Sequence, residues 1–382
     1  TLSGQGVRPE TGFLAPTTSD WIVQFSADQV GLKADLRVDI PTHEGFLTAR
    51  IEQPLQTAQG VMHGVIGPLT FNGTDQRLSK MIMGLPPLSD LTDGMFTATV
   101  DASWSSSFRD RINMMNTVSA TAKIVAEKLS GHYTDYLVKG LSTTMVLHTR
   151  GLESIVMTQP ASIAVAAVQS GVDVTNLVAS YQIRWKLADT LPLIEVRDFQ
   201  CEVFGGIISN PGPVVHLALP PATTTFTLRN LDLAKILNVE QHKGLQGTGT
   251  LNGTLPVTIT SGGVIVKDGV IEAQPPGGII RYASTTPDSS KILSDSDRQL
   301  HLVTQALNNF QYSLLRVGVK YGETGMLDLN ARLEGRNPDL RNTPPIHFNL
   351  TVQEHIPTLL KSLRLVEDIQ GTIERKYKRV GP

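Results

Sequence analysis

Sixteen consecutive residues, Leu245 to Thr260, alternate without exception between apolar or glycine positions and polar or proline positions. Leu245, Gly247, Gly249, Leu251, Gly253, Leu255, Val257 and Ile259 fall on one side, and every residue between them on the other. A period of two predicts an extended β-segment with one oily face and one wet face. An unbroken strand of this length would reach roughly 50 Å at about 3.3 Å per residue, against roughly 17–20 Å for an ordinary strand. The same signature recurs over 30–40, 96–104, 179–187, 327–334 and 346–353. Strands that bury one face and wet the other belong to antiparallel sheets, so the pattern predicts a mainly antiparallel β protein.

Roughly twenty strand-like segments are joined by short Gly, Pro, Asn or Asp turns, as in sandwiches, barrels or long open sheets. Lys267-Asp268-Gly269 predicts a hairpin turn, while Pro220-Pro221 and Pro275-Pro276-Gly277-Gly278 predict breaks. Helices are few. Asp232 caps a short one over Leu233–Leu237. A second runs from Asp297 to Phe310 after the polar linker 284–296. Pro357 opens a third, carrying Leu359, Leu360 and Leu363, with a helical tail through Val366, Ile369, Ile373 and Tyr377. The expected organisation is an elongated sheet over 1–290 and a helix–strand–helix region over 291–382 that continues or caps it.

Composition narrows the function more than the fold. The formal net charge is −2 and charged residues make up 18%, which argues against a nucleic-acid partner and against disorder. The single cysteine, Cys201, excludes an internal disulfide and a cysteine zinc site, and its neighbours Phe199 and Val203 make it a small buried hydrophobe. No run approaches the roughly 18 apolar residues of a membrane span, and no signal-peptide pattern opens the chain. The opening residues lack an initiator Met and already look like strand and turn, so a targeting or anchor segment is expected upstream.

Catalytic grammar is missing. Gly244-Leu-Gln-Gly-Thr-Gly249 has the wrong glycine spacing for a nucleotide loop and continues a strand instead of opening a helix. There is no nucleophile elbow, zinc-protease helix or P-loop. Asp295 and Asp297 read as helix-capping chemistry, the nine histidines show no ligand spacing, and Arg375, Lys376, Lys378 and Arg379 read as a basic helix end. Neither an enzyme nor a bound cofactor or metal is expected. Glycines 247, 249 and 253 lie on the apolar face, where they bend or bulge the strand or leave room above it for a ligand.

The stretches LRNLDLAKILNVEQHKGLQGTGTLNGTLPV (228–257), VIVKDGVIEAQPPGGIIRY (264–282), LNARLEGRNP (329–338) and HFNLTVQEHIPTLLKSLRL (347–365) resemble the YdbH-like family. That family belongs to the AsmA-like group of bacterial envelope proteins with TamB and YhdP. The resemblance covers about the last 170 residues, and residues 1–160 share only its style. It implies a periplasmic protein, anchored in the inner membrane through a segment outside this chain. Its sheet would curl into an open hydrophobic groove (a β-taco) that carries phospholipids between the inner and outer membranes. A small YnbE-like outer-membrane lipoprotein would prolong the groove by strand pairing.

The residues support the same physics. Each acyl CH₂ exposed to water costs about 0.8 kcal/mol, so a sixteen-carbon tail would cost on the order of 12 kcal/mol to cross bare solvent. An aliphatic groove removes most of that barrier. The expected lining is Leu251, Leu255, Val257, Ile259, Leu315, Val317, Val319, Leu327, Leu329, Leu333, Phe348, Leu350 and Val352. The competing reading is a structural or adhesive β-sandwich, in which two oily faces pack on each other and no groove exists. Alternation alone does not separate the two.

Overall fold

A computed structural model of the chain describes residues 2–7, 15–16, 19–40, 43–57, 59–73, 76–83, 89–105, 117–151, 153–189, 192–210, 212, 215–216, 222–239, 245–260, 262–282, 305–340 and 344–364. The chain divides into two units. Unit 1 comprises Thr1–Gln169, Asn176–Phe199 and His216–Leu219, and unit 2 comprises Ser170–Thr175, Gln200–Val215 and Pro220–Pro382.

The strands are β1 (Leu2–Val7), β2 (Ala15–Pro16), β3 (Ser19–Ala27), β4 (Gly31–Ile40), β5 (His43–Pro54), β6 (Gln59–Asn72), β7 (Ile82–Met83), β8 (Ser89–Ser105), β9 (Ser119–Tyr133), β10 (Tyr136–Arg150), β11 (Ser154–Val156) and β12 (Ala161–Gln169). There follow β13 (Asp173–Lys186), β14 (Leu193–Val203), β15 (Gly206–Asn210), β16 (Val215–His216), β17 (Ala222–Asp232), β18 (Leu245–Thr248), β19 (Thr250–Thr260) and β20 (Gly263–Ala273). The last are β21 (Gly278–Tyr282), β22 (Phe310–Tyr321), β23 (Met326–Arg336) and β24 (Ile346–His355). The expected mainly antiparallel β architecture, with only short helices, is what the chain forms.

Unit 1 is a meander. β1 pairs with β3, and β3, β4, β5, β6, β8, β9 and β10 then pair in sequence, all antiparallel. β8 has 17 residues and β9 and β10 have 15 each, so strands of unusual length are present. A closed apolar cluster sits at one margin: Ile40, Phe46, Leu69, Phe71, Met81, Ala126 and Leu129. The short helix Leu78–Met81 supplies Met81, and the Asp90 carboxylate holds that helix by accepting from Ser79 N (2.9 Å) and Ser79 Oγ (2.8 Å).

Unit 2 repeats this logic. β15, β17, β19, β20, β22, β23 and β24 pair in order, and β18 pairs with β21, which joins β22. The closed cluster here contains Val203, Leu228, Leu231, Leu233, Leu251, Phe310, Tyr312, Leu315 and Leu333. The helix Leu233–Leu237 covers it, capped as expected by Asp232, whose Oδ1 accepts from Ala234 N at 2.9 Å. Asn337 is buried and donates to the carbonyls of Gln305 (3.0 Å) and Ala306 (3.2 Å), pinning the helical turn 305–307 over the same cluster.

Three expectations need correction. The sixteen-residue strand is broken at Gly249 into β18 and β19, which pair with different partners. Gly249 has φ +138°, and a Cβ there would meet the Tyr312 hydroxyl, which donates to Thr248 O at 2.8 Å. Lys267-Asp268-Gly269 is no hairpin. Both halves of β20 pair with β19, and the three residues form a bulge against β22 between Val266 and Gly269. A two-residue hairpin needs a positive φ, and none of the three has one. Phe310 opens β22 instead of ending a helix; only 305–307 of that predicted helix is helical, and 297–304 lie outside the described residues. The linker 284–296 and the tail beyond 364 lie outside them too. The helix at Pro357 forms over 356–364.

Gly249→Ala should lower stability by about 1–3 kcal/mol, because it combines a disfavoured φ with overlap on a buried hydroxyl. Tyr312→Phe should cost about 1 kcal/mol for the lost hydrogen bond. Urea unfolding of the two variants measures both.

Candidate functional site

The strand register of unit 1 builds two unlike faces. One carries the cross-strand row Val23–Leu36–Ala49–Gly64–Val100–Ala122–Leu147, one side chain from each of β3, β4, β5, β6, β8, β9 and β10. Trp21–Val38–Leu47–Ile66–Ala98–Ile124–Met145 runs beside it, and Phe25–Ala34–Ile51–Met62–Ala102–Ala120 on its other side. The opposite face carries Gln24–Asp35–Arg50–His63–Asp101–Thr121–His148 in register. Arg50 Nε donates to Asp35 at 2.7 Å, His63 Nδ1 lies 2.7 Å from Asp101, and Thr121 Oγ1 lies 3.0 Å from His148. Asp35 raises the pKa of Arg50 above the usual guanidinium value by hydrogen bonding and charge.

Partial exposure distinguishes most of these apolar rows from a core, although Val38, Leu47 and Ile66 pack against the closed cluster. Apart from buried Ala98 and exposed Phe25, every named member of the three rows is half-buried. Side chains meshed between two sheets would be closed off from solvent. The floor is also shallow, because Ala34, Ala49, Gly64, Ala98, Ala102, Ala120 and Ala122 are small. Its margins are closed by the Phe46–Phe71–Met81 cluster on one side and, across β5, β6 and β8, by buried Gln53 and Trp104 on the other, while exposed Leu32 and Ala27 leave that second margin open at β4 and β3.

In unit 2 the register gives Gly253–Ile271–Val317–Ala331–Leu350 and Val319–Leu329–Val352 as neighbouring rows. The thirteen lining residues expected from sequence all fall in this unit, in three settings. Leu251, Leu315 and Leu333 belong to the closed cluster, with Leu255, Val317 and Phe348 packed against it. Phe348 meets Phe310 edge to face at 5.2 Å. Val257 and Val319 are also buried, while Ile259, Leu327 and Leu329 are half-buried. Leu350 and Val352, on the last strand, are 41% and 46% exposed. The rows therefore run from a sealed end at Leu315 and Leu333 to an accessible end at β24.

Protein atoms occupy the space that the strand glycines leave. A Cβ on Gly247 would approach Leu237 to 2.7 Å, and one on Gly253 would approach the Val270 carbonyl to 2.5 Å. The ligand-space alternative for these glycines is set aside. Sequence reading placed the alternating 30–40 and 96–104 segments in the expected groove-forming sheet over 1–290, and both contribute to this floor, but it named no lining residue in unit 1. Cys201 is buried in β14, and burial pushes its thiol pKa up to about 11, so it is no nucleophile. Among the described residues, no group of three or more His, Cys, Asp or Glu side chains could hold a metal ion, and no helix is long and apolar enough to cross a membrane.

Comparison with known proteins identifies the family. The profile of the YdbH-like family, described as "Intermembrane phospholipid transport protein YdbH", matches residues 14–378, and the chain belongs to that family. The match takes in residues 14–160, beyond the C-terminal stretches that carry the resemblance in sequence. A relative from Escherichia coli (strain K12), "Probable phospholipid transport protein YdbH", is 22% identical over 338 residues. That alignment covers 85% of this chain and 37% of the relative, so the chain spans well under half of that protein's length. No solved structure matches.

Leu333→Ala should cost about 2–5 kcal/mol, as for a sealed core position. Val352→Ala should stay within about 1 kcal/mol, and urea denaturation of the pair reads the contrast. Cys201 should resist alkylation near neutral pH until the protein unfolds. The raised pKa keeps the thiol protonated in the folded state, so its contribution to stability is lost as pH rises through about 11.

Proposed function

We propose that this chain is a segment of a non-enzymatic phospholipid conduit, in which acyl chains lie on the half-buried aliphatic rows while headgroups stay in water. The observation that supports this most is the combination in unit 1 of three in-register apolar rows, partly accessible at all but one position, with a charged, hydrogen-bonded row on the opposite face. A packed sandwich would seal the first and have no need of small residues along it. Membership of a phospholipid transport family supports the same reading.

Such a face lowers the cost of carrying a tail without trapping it. Moving from one hydrocarbon setting to another recovers most of the roughly 0.8 kcal/mol per CH₂ that water would exact. Every row presents the same chemistry to the next, so no single position holds the lipid tightly. In unit 2 the accessible positions Ile259, Leu327, Leu329, Leu350 and Val352 are the lining, whereas Leu251, Leu315 and Leu333 hold the fold.

In this reading the protein works in the periplasm between the two membranes, tethered to the inner membrane by a part of the longer protein. It meets a small outer-membrane lipoprotein of the YnbE type by strand pairing. Nothing in the residues couples to an energy source, so directionality comes from elsewhere in the system.

Purified protein should carry phospholipid visible by native mass spectrometry. Gly64→Asp and Ala122→Asp, which place carboxylates on the accessible floor, should abolish that cargo while lowering the melting temperature only modestly. Lipid-free wild-type protein, or unfolding of both variants, would point to an ordinary packed sheet.

A further inference from the structure

Across β5, β6 and β8 the floor of unit 1 ends at one side chain. Trp104 lies at the end of β8, and its indole covers the backbone of β6 at Gly60, where a Cβ would fall within the ring itself. Its Nε1 donates to Gln53 Oε1 of β5 at 2.7 Å, so one ring spans three strands. Trp104 and Gln53 are 8% and 4% exposed, yet the next residues inward on the same face, Ala102 and Met62, are partly accessible. A bulky buried ring thus stands where the partly accessible floor stops on β6 and β8.

We infer that Trp104 is the wall that confines acyl chains to the small-residue floor of unit 1, with Gly60 as its seat and Gln53 as its tether. This rests on the lipid-carrying reading above and adds a residue that sets which tails fit. An indole suits the role because it fills much volume with few rotamers and offers one N–H to fix its plane. Gly60 is required because only a backbone without a side chain lets the ring lie flat; any Cβ lifts it over the floor. Trp104 is a positioning residue, acting through the length of floor it leaves, between itself and the Phe46–Phe71–Met81 cluster, to a tail lying along the strands.

The test uses the full chain with phosphatidylethanolamine vesicles of shorter and longer tails, reading retained lipid by native mass spectrometry. Gly60→Ala should reduce retained lipid several-fold by tilting the indole across the floor. Trp104→Ala should shift the retained lipid towards longer tails, and the double variant Gly60→Ala with Trp104→Ala should regain at least the wild-type amount. A merely structural tryptophan predicts the reverse, with the double variant no better than Gly60→Ala and the tail-length profile unmoved by Trp104→Ala. Either result overturns the wall. If Gly60→Ala melts the fold, the tail-length profile of Trp104→Ala decides alone. Wild-type protein that retains no phospholipid overturns the lipid reading itself, and the wall with it.

Discussion

Backbone hydrogen bonding along the antiparallel ladder carries, in each unit, a share of stability that a second sheet supplies in an ordinary β protein. A sheet normally gains its hold by burying one face on another layer. Here the aliphatic rows of β3 to β10 stay half-buried, so their transfer energy is only partly realised in the folded chain. Long strands compensate. β8 pairs along most of its length with β6 on one side and β9 on the other, and each added residue extends a ladder already nucleated. Cross-strand contacts on both faces add a few tenths of a kcal/mol apiece.

A ladder alone would leave register and twist loosely fixed, and the closed clusters supply what is missing. Each sits at one margin of its sheet under a short helix, Leu78–Met81 in unit 1 and Leu233–Leu237 in unit 2. Helices of four or five residues have no stability of their own. They exist because Asp90 and Asp232 satisfy their first N–H groups and because Met81 and Leu233 are buried beneath them. The polar faces contribute specificity more than energy, since Arg50–Asp35 and His63–Asp101 are exposed pairs. Their value is to make a one-residue register slip costly, because such a slip would move the whole charged row onto the apolar side.

What was legible in the sequence follows from which signals are local. Asp232 before Leu233 announces a cap because the acceptor and the donor are two residues apart. Alternation from Phe96 to Trp104 gives a strand and its faces for the same reason. Gly249 was legible as a bend or bulge but not as a split between two strands with different partners, since the hydroxyl that requires it belongs to Tyr312, far along the chain. Lys267-Asp268-Gly269 carries turn chemistry, and only the pairing of both flanks with β19 makes it a bulge. Leu333 and Val352 lie in equally regular alternation yet end in opposite settings, because periodicity defines a face and says nothing of what covers it. The lining residues of the unit 1 floor went unnamed because Ala and Gly barely register as hydrophobic, although smallness is what leaves the face shallow.

That last point bears on how a face proposed to carry lipid can stay soluble. Exposed aliphatic area invites aggregation in proportion to its size and flatness. The Ala and Gly positions among these rows present little area when empty, and Phe46, Phe71 and Trp104 at the margins hinder a flat partner from reaching them. A flexible tail meets no such obstacle, because it is narrow enough to lie between the walls and contact the floor along its length. The same geometry therefore discriminates between two apolar partners by shape where the hydrophobic effect cannot discriminate by chemistry. Larger floor residues would bind tails more tightly, but they would also rise towards the height of the walls and offer themselves to other proteins. Weak contact with each row is in this sense a condition of solubility as well as of movement.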